Sequence, residues 1–269
     1  MSNTIKIAKV MLHKFEEPII SAGNGSGAIF FSGCSLKCLY CQNWEISHEN
    51  SGIEISIMEL ANIFKRLEDA GANNINLVSP THYTYQIISA LKIYKPKIPI
   101  IWNTSGYESL ATLEIIKDYI DIYLTDIKYC SSTLSGEFSS ATNYFEKASL
   151  ATIKMREYQP VDVIVNGLMQ KGLIVRHLIL PSCIEDSFKV LDFIKKFLGK
   201  ETIVSIMSQY TPCFKAINHS TLNRKITPLE YKIVTSYALK LELNNSYVQE
   251  ESSATTDCTP DFRHNIFEI

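Results

Sequence analysis

The chain carries, at residues 27–43, the stretch GAIFFSGCSLKCLYCQN, in which an apolar run leads directly into three closely spaced cysteines. Residues 27–31 are apolar throughout, which is typical of a strand buried on both faces. Cys34, Cys38 and Cys41 follow with the spacing C-x3-C-x2-C. The stretch therefore predicts a buried strand that ends at a cluster of metal-binding thiols.

The rest of the chain alternates between short apolar runs and segments with the apolar period of a helix. This alternation predicts an α/β fold with a parallel sheet covered by helices, and six such units would form a partial (β/α)6 TIM-like barrel. A doubly wound sheet is the alternative. After 27–31, the predicted strands are 75–78, 98–103, 121–127, 173–180 and 202–207. The predicted helices are 56–71, 83–95, 107–118, 142–171, 186–198 and 227–242.

Local signals mark some of these boundaries. Ser56 and Glu59 have the spacing of a capping box, and Gly71 is a natural helix stop. Pro160 is expected to divide the longest helical pattern into two pieces. Because no linker, low-complexity tract or repeat interrupts the chain, one domain is predicted. Its expected parts are an N-terminal extension (1–24), a core (about 25–243) and a C-terminal tail (244–269).

Composition excludes several classes of protein. The chain has 269 residues and is 46% hydrophobic, with 11 glycines and 9 prolines, which excludes disorder and collagen-like structure. Its 26 basic and 28 acidic residues give a net charge of −2, so nucleic acid is not an expected partner. No apolar run is long enough to cross a bilayer. Basic side chains are scattered through residues 1–15, where a secretion signal needs an apolar segment, so a cytoplasmic protein is expected.

The cysteine cluster favours iron and sulfur over a disulfide framework. Three of the seven cysteines lie within eight residues, and three thiolates can hold three irons of a four-iron cluster, leaving the fourth iron open to a ligand. Zinc is the alternative, with His48 completing a Cys3His site. Zinc modules usually pair two such knuckles, and no second C-x2-C occurs here. The remaining cysteines are expected to be buried or incidental thiols: Cys130, Cys183, Cys213 and Cys258.

The cysteine spacing, with Tyr40 directly before the last cysteine, resembles the signature of radical S-adenosylmethionine (SAM) enzymes. The chain is also similar to the PflX-like branch of the pyruvate formate-lyase-activating-enzyme homologues. The similar patches are 16–18, 25–27, 30–34, 80–82, 103–107, 209–212 and 248–250. The resemblance covers nearly the whole chain and implies a partial (β/α)6 barrel of the radical SAM type. It further implies one 4Fe-4S cluster on Cys34, Cys38 and Cys41, with SAM chelated by the open iron.

The resemblance also implies an activity. Reductive cleavage of SAM yields a 5′-deoxyadenosyl radical, which abstracts hydrogen from a substrate. The expected substrate is a polypeptide, as in the activation of a glycyl radical protein, and the expected electron donor is of flavodoxin or ferredoxin type. Modification of another peptide or a small molecule stays open, as does a non-catalytic zinc or iron–sulfur binding protein. No nucleic-acid or membrane partner is expected.

Polar side chains at predicted strand ends are candidates for binding the cofactor, because the working groups of such barrels gather at the carboxyl ends of the strands. Asp126 and Lys128 share one face of their strand. The resemblance implies that Lys128 faces the SAM carboxylate and Asp126 the amino group or a nearby cation; a structural ion pair is the alternative. Arg176 interrupts an apolar run, where an unpaired cation is costly, so a carboxylate or ribose oxygen is its expected partner.

Two further strand ends carry candidates by resemblance. Residues 79–81 stand where many family members have Gly-Gly-Glu, and backbone carbonyls and the Ser79 and Thr81 hydroxyls are expected to substitute; an ordinary turn is the alternative. Residues 103–106 correspond to an Asp-Thr-x-Gly type segment. Tyr40 is expected near the adenine or in the core, and Gln209 and Tyr210 on the substrate face. The cofactor-binding candidates are therefore Tyr40, Ser79, Pro80, Thr81, Asn103, Ser105, Asp126, Lys128 and Arg176. The histidines at 82, 177 and 264 are expected to be structural.

Overall fold

The computed structural model describes residues 4–248 and 260–269. In these two ranges the strands are β1 (Thr4–His13), β2 (Ser26–Phe31), β3 (Ile53–Ser56), β4 (Ile75–Val78), β5 (Ile100–Thr104), β6 (Ile122–Asp126), β7 (Val163–Val165), β8 (Leu168–Leu178), β9 (Ile203–Met207), β10 (Ser246–Val248) and β11 (Phe267–Glu268). The α-helices are α1 (Pro18–Ser21), α2 (Trp44–Ser47), α3 (Ile57–Asp69), α4 (Thr84–Ile93), α5 (Leu110–Ile116), α6 (Ser132–Ser139), α7 (Tyr144–Tyr158), α8 (Ile184–Phe193) and α9 (Pro228–Lys240). A π-helical turn, Ile194–Leu198, continues α8, and 3-10 helices lie at Thr81–Tyr83 and Phe214–Asn218.

The sheet follows the order β10-β9-β8-β6-β5-β4-β2-β1-β11, with β3 paired to β1 and β7 to β8. The seven strands from β2 to β10 along this order are parallel to their neighbours, whereas β1 is antiparallel to β2. Their order in space is their order along the chain, without the reversal of a doubly wound sheet. Every crossover thus runs in the same direction, and the predicted partial (β/α)6 barrel is confirmed.

Alternation along the strands separates an outer face from an inner one. Trp102, Tyr123 and Val175 lie on the outer face and pack with the helices in the main core. Their neighbours Ile101, Leu124 and Ile174 lie on the inner face and form a separate cluster. Because side chains of a strand point alternately to opposite faces, each strand buries one set under helices and presents the other to the barrel interior.

Short helix α1 fills one end of the barrel interior. Ile19 and Ile20 are 7% and 0% exposed and belong to the inner-face cluster. Their companions there include Ile101, Ile122 and Ile203, which lie at or near the amino ends of their strands. The amino-terminal end of the barrel interior is therefore packed with apolar side chains, and a cavity opens at the carboxyl ends of β6, β8 and β9.

The predicted boundaries agree closely with the structure for most elements. Helix α3 begins after Ser56, whose hydroxyl accepts from Glu59 N while the Glu59 carboxylate accepts from Ser56 N, so the predicted capping box is confirmed. The strands predicted at 27–31, 75–78, 98–103, 121–127, 173–180 and 202–207 correspond to β2, β4, β5, β6, β8 and β9.

The helix predicted over 142–171 was wrong in its second half. Helix α7 ends at Tyr158, before Pro160, and the chain then forms the β7–β8 hairpin instead of a second helical piece. The turn consists of Asn166 and Gly167, with φ of 52° and 80°. Asn-Gly is the dipeptide that best tolerates two consecutive positive φ angles, so turn chemistry overrides the apolar period here.

The two ends of the chain meet along β1. Lys9 is 1% exposed, and its ammonium donates to the carbonyls of Asp261 and His264 at 3.0 and 3.1 Å and to Glu268 Oε1 at 2.5 Å. Phe262 packs its ring against Phe30 on the inner face, with centroids 5.5 Å apart. Of the helices in the described ranges, none combines the length and apolar character that crossing a bilayer requires.

Candidate functional site

The three clustered cysteines lie on the loop that follows β2, and this loop is fastened to the last turn of α6. Lys37 N donates to Ser139 O at 3.1 Å, and Leu39 N donates to Phe138 O at 2.8 Å. The last carbonyls of a helix have no hydrogen-bond partner within the helix, and two backbone N–H groups of the loop donate to two of these carbonyls here. Cys38, between the two donors, is therefore held directly over Ser139.

Each cysteine sulfur lies near one hydrogen-bonding group. Leu36 N donates to Cys34 Sγ at 3.4 Å, Ser139 Oγ lies 3.0 Å from Cys38 Sγ, and Ser47 Oγ lies 3.2 Å from Cys41 Sγ. All three thiols are free. Burial, together with the neighbouring thiols, raises the pKa of Cys38 to about 12 and that of Cys41 to about 11.

This donor set fits an iron–sulfur cluster. Thiolates are the ligands of such clusters, and each sulfur has the neighbouring N–H or O–H group that tunes a cluster. His48, the fourth ligand of the zinc alternative, contacts Ser47 Oγ at 3.0 Å and packs its ring on Phe214. Among the residues described here, no three His, Cys, Asp or Glu side chains are assembled around a single metal position.

A cavity of about 220 Å³ opens beside the cysteine loop. Most of the predicted site lies in its wall, because the carboxyl ends of β6, β8 and β9 converge there. The lining residues are Cys38, Tyr40, Cys41, Gln42, Asn43, Asp126, Lys128, Arg176, Leu178, Met207, Gln209, Tyr210 and Thr211. The predicted residues that are not part of this wall are Cys34, Ser79, Pro80, Thr81, Asn103 and Ser105.

The charged part of the wall is a three-membered network. Asp126 accepts from Lys128 Nζ at 2.6 Å through one carboxylate oxygen and from Arg176 Nε at 2.9 Å through the other. Burial acts to raise the pKa of Asp126, but the charges of Arg176 and Lys128 hold it below its usual value. All three groups are therefore charged at neutral pH, and the carboxylate that Arg176 was expected to need is supplied by the protein itself.

A polar layer beneath this network includes Glu16 and Asn76, which sequence reasoning did not select. Arg176 Nη2 donates to Asn103 Oδ1 at 2.7 Å, and Glu16 Oε1 accepts from Asn76 and Asn103 at 2.9 and 3.3 Å. Glu16 Oε2 lies 3.4 Å from Arg176 Nη1. Asn76, Asn103 and Arg176 occupy inward positions on β4, β5 and β8, so alternation along the strands was the available signal.

The segment at residues 79–81 is tied to the outer side of β5. Thr81 Oγ1 donates to Glu108 Oε1 at 2.5 Å, and the same oxygen accepts from Trp102 Nε1 and Thr104 Oγ1 at 3.1 and 2.7 Å. Ser79 has a φ of 57° and donates its N–H to Asn103 O at 2.9 Å. Within the described structure the Thr81 hydroxyl is thus committed to Glu108, a residue that sequence reasoning did not select.

Tyr144 of α7 fastens the ends of β5 and β6 together. Its hydroxyl lies 2.7 Å from Ser105 O and 3.0 Å from Asp126 O, and it accepts from Lys128 N at 3.0 Å. Ser105 therefore contributes its backbone carbonyl to this contact and does not itself line the cavity. The contact also fixes the backbone on both sides of the Asp126–Lys128 pair.

The remaining candidates are spread over the site and the core. Tyr40 and Tyr210 are 6% and 2% exposed and meet edge to face with centroids 5.8 Å apart. His177 is buried, with Ile127 O 2.8 Å and Ser187 Oγ 2.9 Å from its two ring nitrogens, which confirms a structural role. Other positions, at Cys130, Cys183, Cys213, His82 and His264, lie outside the cavity wall, and Cys258 lies outside the described residues.

Comparison with known proteins identifies the family. Residues 28–176 match the sequence model of the radical SAM superfamily. The uncharacterized protein MJ0674 of Methanocaldococcus jannaschii is 32% identical over 251 residues, which is 88% of this chain and 68% of that protein.

Solved structures of Streptococcus suis SuiB share the fold. SuiB bound to SAM superposes with a TM-score of 0.56 at 16% identity, covering 81% of this chain and 48% of SuiB. SuiB bound to its precursor peptide SuiA gives 0.54 at 15% identity, covering 77% of this chain and 43% of SuiB. The chain thus spans less than half the length of SuiB. Because the superfamily match alone covers more than half of the chain, this protein belongs to the radical SAM superfamily, whose enzymes use a 4Fe-4S cluster and SAM.

Proposed function

We propose that Cys34, Cys38 and Cys41 hold the cluster and that the cavity beside them binds SAM, for hydrogen abstraction from a polypeptide substrate. When bound and reduced, the cluster supplies one electron that cleaves SAM to methionine and a 5′-deoxyadenosyl radical, which takes a hydrogen atom from the substrate. The further proposal is that the substrate is a glycyl radical protein and that the electron donor is of flavodoxin or ferredoxin type.

One observation carries this proposal. Two of the three cysteines, Cys38 and Cys41, line the same cavity wall as Asp126, Lys128 and Arg176. An amino acid carries a carboxylate and an ammonium, and a neighbouring pair of opposite charges matches both ends. A cofactor with an amino-acid end is therefore a better fit to this wall than a purely apolar ligand.

The residues of the wall have distinct proposed roles. Lys128 faces the SAM carboxylate, and Asp126 faces the amino group. Arg176 donates to Asp126 at 2.9 Å and to Asn103 at 2.7 Å, so it keeps the carboxylate oriented when Lys128 turns towards the ligand. Tyr40 packs near the adenine, and Gln209 and Tyr210 face the substrate.

Two observations support a polypeptide as the substrate. Residues 43–129 contain no cysteine, so the ferredoxin-like module that some activating enzymes insert there is absent. A barrel without that module has little inserted chain to close the cavity, and a partner loop would exclude water from it. SuiB, which shares this fold, has been observed with its precursor peptide bound, so such a barrel can accommodate a peptide.

The test combines two measurements on anaerobically reconstituted protein. SAM cleavage to 5′-deoxyadenosine under reducing conditions is expected for the wild type and is expected to be lost in Cys38→Ala but retained in Cys183→Ala. A candidate glycyl radical protein from the same organism is then added, and a glycyl doublet in the electron paramagnetic resonance spectrum supports activation. Absence of SAM cleavage, or efficient turnover of a small metabolite with no partner radical from any candidate, would overturn the proposal.

A further inference from the structure

Three hydroxyl groups, those of Tyr40, Tyr129 and Ser139, form a hydrogen-bonded line that ends at the sulfur of Cys38. Ser139 Oγ lies 3.0 Å from Cys38 Sγ, Tyr129 OH lies 2.8 Å from Ser139 Oγ, and the hydroxyls of Tyr40 and Tyr129 hydrogen-bond to each other. The four side chains are between 1% and 8% exposed. The line therefore runs through a water-poor environment, where hydrogen bonds are stronger electrostatically than in solvent.

The backbone holds this arrangement in place. Lys37 N and Leu39 N, on either side of Cys38, donate to the carbonyls of Ser139 and Phe138 in the last turn of α6. A cysteine and a serine fixed by two flanking backbone bonds have little freedom to separate. The backbone hydrogen bonds between the loop and α6 therefore hold Cys38 and Ser139 in contact.

Ligation of a metal by Cys38 would fix the direction in which the hydroxyls of this line donate their hydrogen bonds. A cysteine that ligates a metal is a thiolate without a proton, so Ser139 must then donate to Cys38 Sγ. Because a serine hydroxyl has one proton, Ser139 must accept from Tyr129, and Tyr129 must in turn accept from Tyr40. All three hydroxyls then point towards the sulfur, and each bond polarises the next.

We propose that this line of hydroxyls raises the reduction potential of the cluster, with Ser139 as a positioning residue that acts through Cys38. Reduction adds negative charge to the cluster and its sulfurs, so a donor at a sulfur stabilises the reduced form more than the oxidised one. The inference rests on the proposed function only in taking Cys38 as a cluster ligand. It does not depend on the substrate.

The other two cysteines have weaker support of this kind. Cys34 has a backbone donor at 3.4 Å. Cys41 has Ser47 Oγ at 3.2 Å, which in turn lies 3.0 Å from His48 Nδ1, and both cysteines are half-buried. Cys38 is the buried member of the three, and its donor is backed by two further hydroxyls. The largest effect on the potential is therefore expected at Ser139.

The experiment is a potentiometric titration of reconstituted protein without SAM, followed by electron paramagnetic resonance. Ser139→Ala is expected to shift the midpoint potential to more negative values, Tyr129→Phe to shift it less, and Tyr40→Phe least. Ser139→Thr keeps a hydroxyl and is expected to restore most of the wild-type value. Ser135→Ala is the matched control, because Ser135 is a buried serine of the same helix whose hydroxyl bonds to Ser132 O.

The outcomes separate this inference from the proposed function. An intact cluster with the wild-type potential in Ser139→Ala or in Tyr129→Phe would overturn the inference while leaving the ligand set untouched. Equal shifts in Ser135→Ala and Ser139→Ala would also overturn it, since a general loosening of α6 would then be the cause. If Ser139→Ala takes up no cluster, the shift in Tyr129→Phe decides. Cluster retention in Cys38→Ala would instead overturn the ligand set itself.

Discussion

The cysteines differ in what their loss should do, because only three of them lie on the loop after β2. Replacing Cys34, Cys38 or Cys41 by Ala is expected to remove the cluster, since two thiolates cannot hold it firmly. Iron and sulfide per chain, with the visible absorbance after anaerobic reconstitution, measure this. The same change at Cys130, Cys183, Cys213 or Cys258 should leave the iron content intact, and a requirement for one of these four would contradict the open-iron site.

Lys128 is expected to contribute to SAM affinity without being needed for the cluster. Lys128→Met keeps much of the packing of the stem but loses the cation, so SAM should bind about ten to a hundred times more weakly, equivalent to about 1.5–3 kcal/mol. The fold should survive, because Asp126 keeps Arg176 as a partner at 2.9 Å. Equilibrium dialysis with SAM measures the affinity.

Lys154→Met is the control for Lys128→Met. Lys154 is also a lysine paired with a carboxylate, Glu157 at 2.7 Å, but it lies on the exposed side of α7. Its loss should leave SAM binding unchanged. If Lys128→Met binds SAM as tightly as this control does, the Asp126–Lys128 pair is a structural ion pair.

Among the elements, α9 offers the clearest test of electrostatics. Glu230 completes the capping box with Thr227, accepts from Ser182 N at 2.8 Å and pairs with both terminal nitrogens of Arg224. The hydrogen bonds from Arg224 lead in lowering the pKa of Glu230 from 4.5 to about 2. A carboxyl whose folded-state pKa is lowered stabilises the fold above its unfolded-state pKa, and this stabilisation is lost as the pH falls through the folded-state value.

Glu230→Gln should therefore lower the free energy of unfolding by about 2 kcal/mol at pH 7. The difference from wild type should shrink as the pH falls from 4.5 towards 2, because the wild-type carboxyl becomes protonated. Urea unfolding at several pH values measures it. Glu157→Gln, which removes an exposed carboxylate of a surface pair, should change stability by less than about 0.5 kcal/mol. A difference for Glu230→Gln that is independent of pH would contradict the charge argument.

The sequence predicted elements well where a single local pattern decides the outcome. Strands such as β2 are apolar on both faces, and α3 and α9 begin with capping boxes, so their bounds were readable. Helix α6 was missed because three serines and Gly136 within eight residues leave little apolar period. Ser139 was missed with it, although it lies 3.0 Å from a predicted ligand. Long-range pairs of this kind leave no mark in a local pattern.

At the scale of the whole molecule, the joining of the two chain ends depends on Lys9. No local pattern predicts a buried lysine on β1, because its partners, including Glu268, are more than 250 residues away. Lys9→Met should open the segment at 260–269 roughly tenfold more often, since a single hydrogen bond to a charged group contributes about 1.5–3 kcal/mol.

Hydrogen exchange of a peptide that covers residues 260–269 measures this opening. Lys6→Met is the control, because Lys6 lies on the same strand and is only half-buried. The segment should exchange faster in Lys9→Met than in Lys6→Met. Equal exchange in the two variants would mean that the pairing of β1 with β11 and the packing of Phe262, not Lys9, hold this end of the chain.

The packing of α1 into the amino-terminal end of the barrel has a consequence for the order in which ligands bind and leave. With Ile19 and Ile20 packed into the amino-terminal end of the barrel, the route of a ligand into the cavity leads, among the described residues, past the carboxyl ends of the strands. If a polypeptide covers that route, SAM must bind first, and methionine and 5′-deoxyadenosine cannot dissociate until the polypeptide has dissociated. Such a geometry imposes a compulsory order of binding and release. Each binding of the partner then allows one turnover, and dissociation of the partner limits the rate of the cycle.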